Sequence, residues 1–246
     1  MILCIDIGNT NAVLGLYNND KLLKTFRCDC ITKSNFINFI EDRESIFDIK
    51  KVIISSVNIN VNVEVKTIIK EVLNIEPVFV EWSEKFGLKS KLLIPSELGA
   101  DLLIGGYAAT LKYGVPNIVI DMGTATTMFA INSKKEILGG AITAGAVISY
   151  KELMNKASKL KNATFMKPTH IIGNDTNSAI GSGIFYGNAI MIDGFVKKMC
   201  EEMNEENVKV IITGGMANVI IDYLEGDYIH DDNLLLDGLY KASKIL

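Results

Sequence analysis

Histidine and cysteine are both scarce in this chain, with two and four among 246 residues. A zinc centre needs clustered thiolates and imidazoles. Only Cys28 and Cys30 lie close together, and His170 and His230 are far from them. That is a poor pattern for zinc, and Cys4, Cys28, Cys30 and Cys200 read as reduced structural thiols. An excess of positive charge is also missing: 25 Lys and Arg against 29 Asp and Glu leave a net charge of −4. That balance gives no electrostatic footprint for nucleic acid. The longest weakly polar stretch, Leu138 to Tyr150, is rich in alanine and glycine and too short to span a bilayer. No basic stretch precedes the first apolar run, and Asp6 interrupts that run, so it does not read as a signal peptide. These absences predict a cytoplasmic protein without a membrane or nucleic-acid partner.

What is present is apolar residue, 48% of the chain, enough to build a large core in one or two domains. The chain is organised around its first strand and turn, Cys4-Ile5-Asp6-Ile7-Gly8-Asn9-Thr10-Asn11, followed by Val13, Leu14 and Leu16. An apolar strand runs into an acid, then a glycine, a hydroxyl and a second strand. Gly8 lets backbone approach an oxyanion. Asn9, Thr10 and Asn11 place side-chain donors beside backbone N–H groups, a geometry that suits phosphate. Asp6 repels phosphate, so it faces a cation, most simply a water of Mg²⁺. Taken alone, the same residues also describe a plain hairpin joining two core strands.

The stretch recurs. Ile120-Asp121-Met122-Gly123-Thr124-Ala125-Thr126-Thr127 repeats the strand, acid, glycine and hydroxyls, 115 residues on from Asp6 to Asp121. At that offset Val13, Leu14 and Leu16 align with Met128, Phe129 and Ile131, and Leu22-Leu23 with Ile137-Leu138. Later in each half, Val52-Ile53-Ile54-Ser55-Ser56 echoes Val210-Ile211-Ile212-Thr213-Gly214. A repeat of domain size is a duplicated domain, not a solenoid. Two copies of a phosphate hairpin, one Asp each, make a two-sided clamp for a nucleotide and its metal. The turn Gly114-Val115-Pro116-Asn117 divides residues 1–114 from residues 115–246.

Between these motifs the pattern predicts a meander over residues 1–30 and a short helix through Phe36 and Ile40 capped by Ser34. A buried strand is expected at 52–57 and an amphipathic helix from Val61 to Leu73. Ser83 to Pro95 reads as a loop. A helix over 97–112 follows, with Ser96 as its cap and Glu97 in its first turn. Asp101 sits on that helix among Leu98, Leu102, Leu103 and Ile104, costly surroundings for an acid that serves no function. The pattern also predicts a strand and glycine turn from Leu138 to Gly145 and helices at 149–160 and 177–203. The run Asn174-Asp175-Thr176 caps the second of these. Gly181, Gly183 and Gly187 fall inside it and imply a close approach of backbone to a helix, a subunit or a ligand. A last helix is built on Leu234, Leu235, Leu236 and Leu239.

The chain resembles the type III pantothenate kinases, a family of the actin-like/sugar-kinase ATPase superfamily. The resemblance rests on Asp6-Ile7-Gly8-Asn9-Thr10-Asn11, Gly99-Ala100-Asp101, Asp121-Met122-Gly123-Thr124, Gly139-Gly140-Ala141-Ile142, Ser182-Gly183, Thr213-Gly214-Gly215 and the leucine-rich tail, all in family order. It implies an α/β fold of duplicated ribonuclease-H-like domains, 1–114 and 115–246, and transfer of a phosphoryl group from ATP to pantothenate. It also implies Mg²⁺ and a monovalent cation, potassium or ammonium, and a homodimer. By the same resemblance Asp101 is the general base. Asp6, Gly8, Asn9, Thr10, Asn11 and Thr124, with Thr126 or Thr127, hold the nucleotide and its metal. Asp121 binds the monovalent ion, and Gly99, Ala100, Asp101, Leu102 and Thr176 contact the acceptor, Thr176 across the dimer. Dimeric ATPase activators with an iron–sulfur cluster share the superfamily, but they need cysteines in the second half that this chain lacks. One region departs from the family: Leu102 replaces an arginine after Gly-Ala-Asp, Leu92 and Ile94 replace a tyrosine and an asparagine, and Thr143-Ala144 precedes Gly145 where the family has proline. The apolar replacements of the arginine and the tyrosine, at Leu102 and Leu92, remove charge and donors from the acceptor side. They leave a second reading open, a nucleotide-binding paralogue with a partner role or another acceptor.

Overall fold

The computed structural model describes residues 1–41, 49–160 and 163–246. The chain forms two compact units, one of Met1–Lys112 with Asn233–Leu246 and one of Tyr113–Asp232.

The first unit carries β1 (Ile2–Ile7), β2 (Ala12–Asn18), β3 (Lys21–Cys28), β4 (Lys51–Ser56), β5 (Val78–Phe79) and the short β6 (Lys89–Ser90). Its helices are α1 (Lys33–Glu41), α2 (Ile59–Leu73), α3 (Ala100–Tyr113, whose last residue is assigned to the second unit) and α7 (Leu234–Ala242). Its sheet has the order β3-β2-β1-β4-β5. The meander β1-β2-β3 is antiparallel, whereas β4 and β5 add in parallel. In the second unit β7 (Asn117–Met122), β8 (Ala125–Ile131) and β9 (Glu136–Ala144) repeat the meander. There β10 (Lys209–Thr213) and β11 (Ile229–His230) add in parallel, giving β11-β10-β7-β8-β9. α4 (Ala146–Lys156), α5 (Thr176–Met203) and the short α6 (Ala217–Ile220) complete it. Both sheets follow one plan, and the expected duplication is present.

The repeat holds in finer detail, with one correction. Each meander has an irregularity at the same place, Leu16/Tyr17 in the first and Ala130/Ile131 in the second. Asp6 pairs with Val13, however, and Asp121 with Thr127, so the first turn is one residue longer. Beyond the turn Leu14 corresponds to Met128 and Leu16 to Ala130, not to Phe129 and Ile131 as a constant offset requires. Core membership agrees, with Leu14 and Leu16 in the first core and Met128 and Ala130 in the second. A one-residue slip exchanges the two faces of a strand, and burial selects the face.

One face of the first sheet places Leu3, Ile5, Ile7 and Leu14 against Phe36 and Phe39 of α1 and Val65, Ile68 and Ile69 of α2. The other face receives α7. Tyr17 and Tyr240 stack with ring centres 4.5 Å apart, and the Tyr17 hydroxyl donates to Asp237 at 2.6 Å. Leu236 fills the space left by the missing side chain of Gly15. Gly238 lies so close to α3 that a Cβ there would sit 2.8 Å from the Ile104 carbonyl oxygen. The terminal helix, expected in the domain 115–246, is therefore part of the first unit. Tyr17 and Asp237 are 220 residues apart in sequence, a separation that no local pattern reveals.

Two helix starts also differ from expectation. Thr32 and Asn35 bond reciprocally, backbone N–H to side-chain oxygen, at 3.2 and 2.9 Å. Thr32 is thus the cap of α1, and Ser34 lies inside the helix. Pro95–Glu97 forms a separate 3₁₀ turn, after which Leu98 is extended. α3 starts only at Ala100, so neither Ser96 nor Glu97 belongs to it. Asp175 caps α5 as expected, its carboxylate accepting from the N–H groups of Asn177 and Ser178. By length and composition α5, 28 residues, could cross a membrane, which the reading of Leu138–Tyr150 as the longest such stretch overlooks. Here Ile180, Ile184, Phe185, Ala189 and Ile192 make it the core helix of the second unit.

Candidate active site

In the first unit the strand end and turn are built from a few short contacts. The N–H of Gly8 donates to the Asn11 carbonyl at 2.9 Å and closes the turn. A Cβ on Gly8 would approach that oxygen to 3.2 Å, so a small residue fits best there. Asn9 and Thr10 are exposed and Asn11 is half-buried. Arg27 on β3, not singled out from the sequence, donates from Nη1 to Asn11 Oδ1 at 3.0 Å. A guanidinium has no acceptor, so this bond fixes the amide, leaving Asn11 Nδ2 as its donor. A cavity of about 120 Å³ beside the turn is walled by Asn9, Asn11, Asp29, Thr32 and Asn58. A larger one, about 200 Å³, lies by Tyr17 and Tyr240. Tyr17 pairs with Ile2, far from the turn at the other end of β1, and that cavity belongs to the docking of α7.

Asp6, next to last in β1, stands beside Ser55 of β4 in the parallel register. The Val57 N–H, two residues past Ser55, donates to the Ile7 carbonyl at 3.0 Å. Gly99 packs against Val57, so the start of α3 sits at this end of the sheet. A Cβ on Gly99 would collide with the Asp101 carboxylate, so Gly-Ala-Asp folds the acid back over the helix start. There Asp101 Oδ1 accepts from the Leu102 N–H at 2.7 Å. Burial pushes the Asp101 pKa upward, and the bond from Leu102 offsets part of the rise. The first unit thus gathers Asp6, Gly8 to Asn11 and Gly99 to Leu102 at one end of its sheet. Leu92 and Leu102 are half-buried, while Leu93 and Ile94 are exposed.

The second unit presents the matching set. Gly214, at φ +95°, leaves room for the Asp121 carboxylate and for the Met122 backbone nitrogen, which a Cβ would approach to 2.6 Å. Gly145 brings the start of α4 against the turn, its N–H donating to the Thr124 carbonyl at 3.1 Å. A Cβ on Gly145 would stand 2.5 Å from the carbonyls of Gly123 and Thr124. Thr126 and Thr127, left as alternatives by the sequence, project to opposite faces of β8. Thr127 is paired with Asp121 and shares its face, whereas Thr126 is fully buried on the core side opposite Met122. The Oγ1 atoms of Thr126 and Thr127 are both buried with no hydrogen-bond partner among the described residues, so it is the pairing with Asp121 that sets Thr127 apart. Thr176 opens α5 and is exposed, remote in sequence from the hairpin.

The donor chemistry fits a magnesium nucleotide. Each unit carries a carboxylate next to the end of a strand, follows it with a glycine turn and sets a hydroxyl beside it on the neighbouring strand, which suits a hard cation and phosphate oxygens. No group of three or more His, Cys, Asp or Glu able to hold a metal directly occurs among the described residues.

A family model described as type III pantothenate kinase matches residues 2–198. The type III pantothenate kinase of Desulforapulum autotrophicum is 40% identical over 97% of this chain and 95% of its own. That of Halalkalibacterium halodurans is 37% identical over 97% of each. Among solved structures, a ROK family glucokinase from Streptomyces griseus, in complex with glucose and AMPPNP, superposes with a TM-score of 0.56. It is 12% identical, over 99% of this chain and 98% of its own. At that identity the likeness shows the fold, the duplicated ribonuclease-H-like fold of the actin-like/sugar-kinase ATPases.

Proposed function

The chain belongs to the type III pantothenate kinase family, and from that membership we propose that it transfers the γ-phosphoryl group of ATP to the primary hydroxyl of pantothenate. The product is 4'-phosphopantothenate, made in the first step of coenzyme A biosynthesis. The observation that carries the proposal is Asp101, a carboxylate at the start of α3 with a pKa raised by burial. It lies at the same end of the sheet as Asp6 and the Gly8 turn. A general base works best when its pKa is drawn toward the operating pH.

Catalysis of this kind is mostly positioning and charge neutralisation. Magnesium, when bound with ATP, offsets the charge of the phosphates. In the first unit Asp6 would hold a water of that ion and Gly8 to Asn11 would take phosphate oxygens; in the second, Thr124 and Thr127 are the hydroxyls suited to phosphate. Asp101 takes the proton of the pantothenate hydroxyl as its oxygen forms the new bond to phosphorus and ADP leaves. Asp121, against the open α-carbon of Gly214, supplies the carboxylate for a potassium or ammonium ion. Gly99 to Leu102 line the acceptor, and Thr176 reaches it from a second copy of the chain. Support for a homodimer comes from the exposed apolar residues Ile142, Ile148, Ile172 and Ile190 and the open positions Gly183 and Gly187 of α5. The acidic charge balance and the core role of α5 support a cytoplasmic enzyme without nucleic-acid or membrane partners.

The test is ADP release by the purified chain with and without pantothenate, with the phosphorylated acceptor identified by mass spectrometry. Pantothenate-dependent turnover is expected. ATP binding without turnover on pantothenate overturns the proposal and leaves a nucleotide-binding paralogue or a kinase for another hydroxyl.

A further inference from the structure

Ser55, next to last in β4, is fully buried, and its Oγ has no hydrogen-bond partner among the described residues. Buried hydroxyls are nearly always paired, because an unpaired one loses water and gains nothing in return. At the end of Val52-Ile53-Ile54 an alanine would avoid that cost.

The direction of the side chain follows from the alternation along the strand. Ser56 points toward α2, where its hydroxyl donates to Asn62 Oδ1 at 2.6 Å, and Ile54 packs into the same core as Val65 and Ile69. Ser55 therefore faces the other side of the sheet. Its partner on β1 is Asp6, and adjacent strands lie about 4.8 Å apart. The start of α3, with Asp101, packs at the same strand end through Gly99 and Val57. The second unit keeps the arrangement: Thr213 of β10 stands beside Asp121 in the same parallel register. A hydroxyl next to the strand-end aspartate is thus a feature of both copies.

We propose that Ser55 is a positioning residue of the magnesium–ATP site, whose hydroxyl accepts a hydrogen bond from a water in the shell of the ion held at Asp6. Magnesium keeps several of its waters when bound to protein and phosphate. Each such water is a polarised donor in need of an acceptor, and a serine oxygen offers two lone pairs. Asp6 would supply the charge, and Ser55 would orient a water of the ion. The inference rests on the reading of Asp6 as the metal's carboxylate.

The test is Ser55→Ala in the full chain, with three measurements. These are the thermal midpoint of the free protein, calorimetric ATP affinity across a magnesium titration, and kcat and KM for ATP and pantothenate separately. Loss of an outer partner of a metal ligand lowers metal affinity about 10- to 100-fold. The magnesium concentration for half-maximal ATP affinity should rise by about that factor, with KM for pantothenate and magnesium-free ATP binding unchanged. The free protein should melt at the same or a higher temperature, because an unpaired buried hydroxyl has been removed. Ser55→Thr, which copies Thr213, should restore the magnesium dependence. A lower midpoint or failure to fold, with magnesium dependence unmoved wherever it is measurable, makes Ser55 a structural residue and overturns the proposal. Asp6→Ala separates the two levels: if it too leaves magnesium dependence unmoved, the metal site itself has been misread. If it abolishes that dependence while Ser55→Ala does nothing, only the role of Ser55 fails.

Discussion

Asp101→Asn isolates the base from the fold that holds it. Asparagine keeps a side-chain oxygen to accept the Leu102 N–H, now bonded at 2.7 Å, so the start of α3 should be undisturbed. What is lost is the ability to take a proton. General-base catalysis contributes about 100- to 10,000-fold, equivalent to about 2.7–5.4 kcal/mol of barrier. The kcat for pantothenate phosphorylation should fall by that factor while calorimetric affinity for magnesium–ATP stays within about twofold. Stability should move the other way. Burial raises the Asp101 pKa, so the folded chain holds this proton more tightly than the unfolded chain does. The stabilisation it gives is complete below the unfolded value of about 3.9 and is lost as pH rises through the folded value. At pH 7 the ionised carboxylate is a burden that asparagine lacks. The variant should therefore melt higher than the parent at neutral pH, and the gap should close on acidification. Stopped turnover in an enzyme that is more stable at pH 7 identifies a functional acid. A variant with near-parental kcat refutes the assignment of Asp101 as base, and one that melts lower at pH 7 refutes the burial argument.

If Asp121 serves a monovalent cation, substrate affinity and turnover should drop when sodium replaces potassium, and Asp121→Asn should erase the difference; equal activity in both salts, measured by direct ADP quantification, counts against that site. Leu102→Arg restores a charged donor beside the acceptor, and an ionic hydrogen bond is worth about 1.5–3 kcal/mol. The KM for pantothenate should fall by about one to two decades, and an unchanged KM in steady-state kinetics argues that another residue already fills the role. Leu236→Ala empties the contact of α7 with Gly15 and should cost the first unit about 2–5 kcal/mol. Hydrogen exchange should then show lost protection in β1 and β2 with β7 and β8 unaffected; equal loss in both units would contradict the assignment of α7 to the first.

Local chemistry decided much of this protein by itself. The strand–acid–glycine–hydroxyl stretches at Asp6 and Asp121 sit where short-range preference puts them, because glycine turns and apolar strands are dictated by neighbours a few residues away. The same holds for the span of α2, the cap of α5 by Asp175 and the doubling of the domain. Family membership follows from the order of such stretches. Helix starts were less legible: Ser96 and Glu97 have the right chemistry, yet Pro95–Glu97 closes a separate 3₁₀ turn, Leu98 is extended and α3 starts only at Ala100. Only the tertiary structure decided the rest. It set Thr127, not Thr126, beside Asp121, shifted the repeat by one residue after the turn, and left Ser55 buried with no partner for its hydroxyl among the described residues. It also returned α7 to the first unit through Tyr17, Asp237 and Tyr240. Each of those outcomes turns on which face of a strand is buried or on contacts between residues far apart in the chain. Periodicity shows that a strand has two faces, and only the partner packed against it determines which one holds the chemistry.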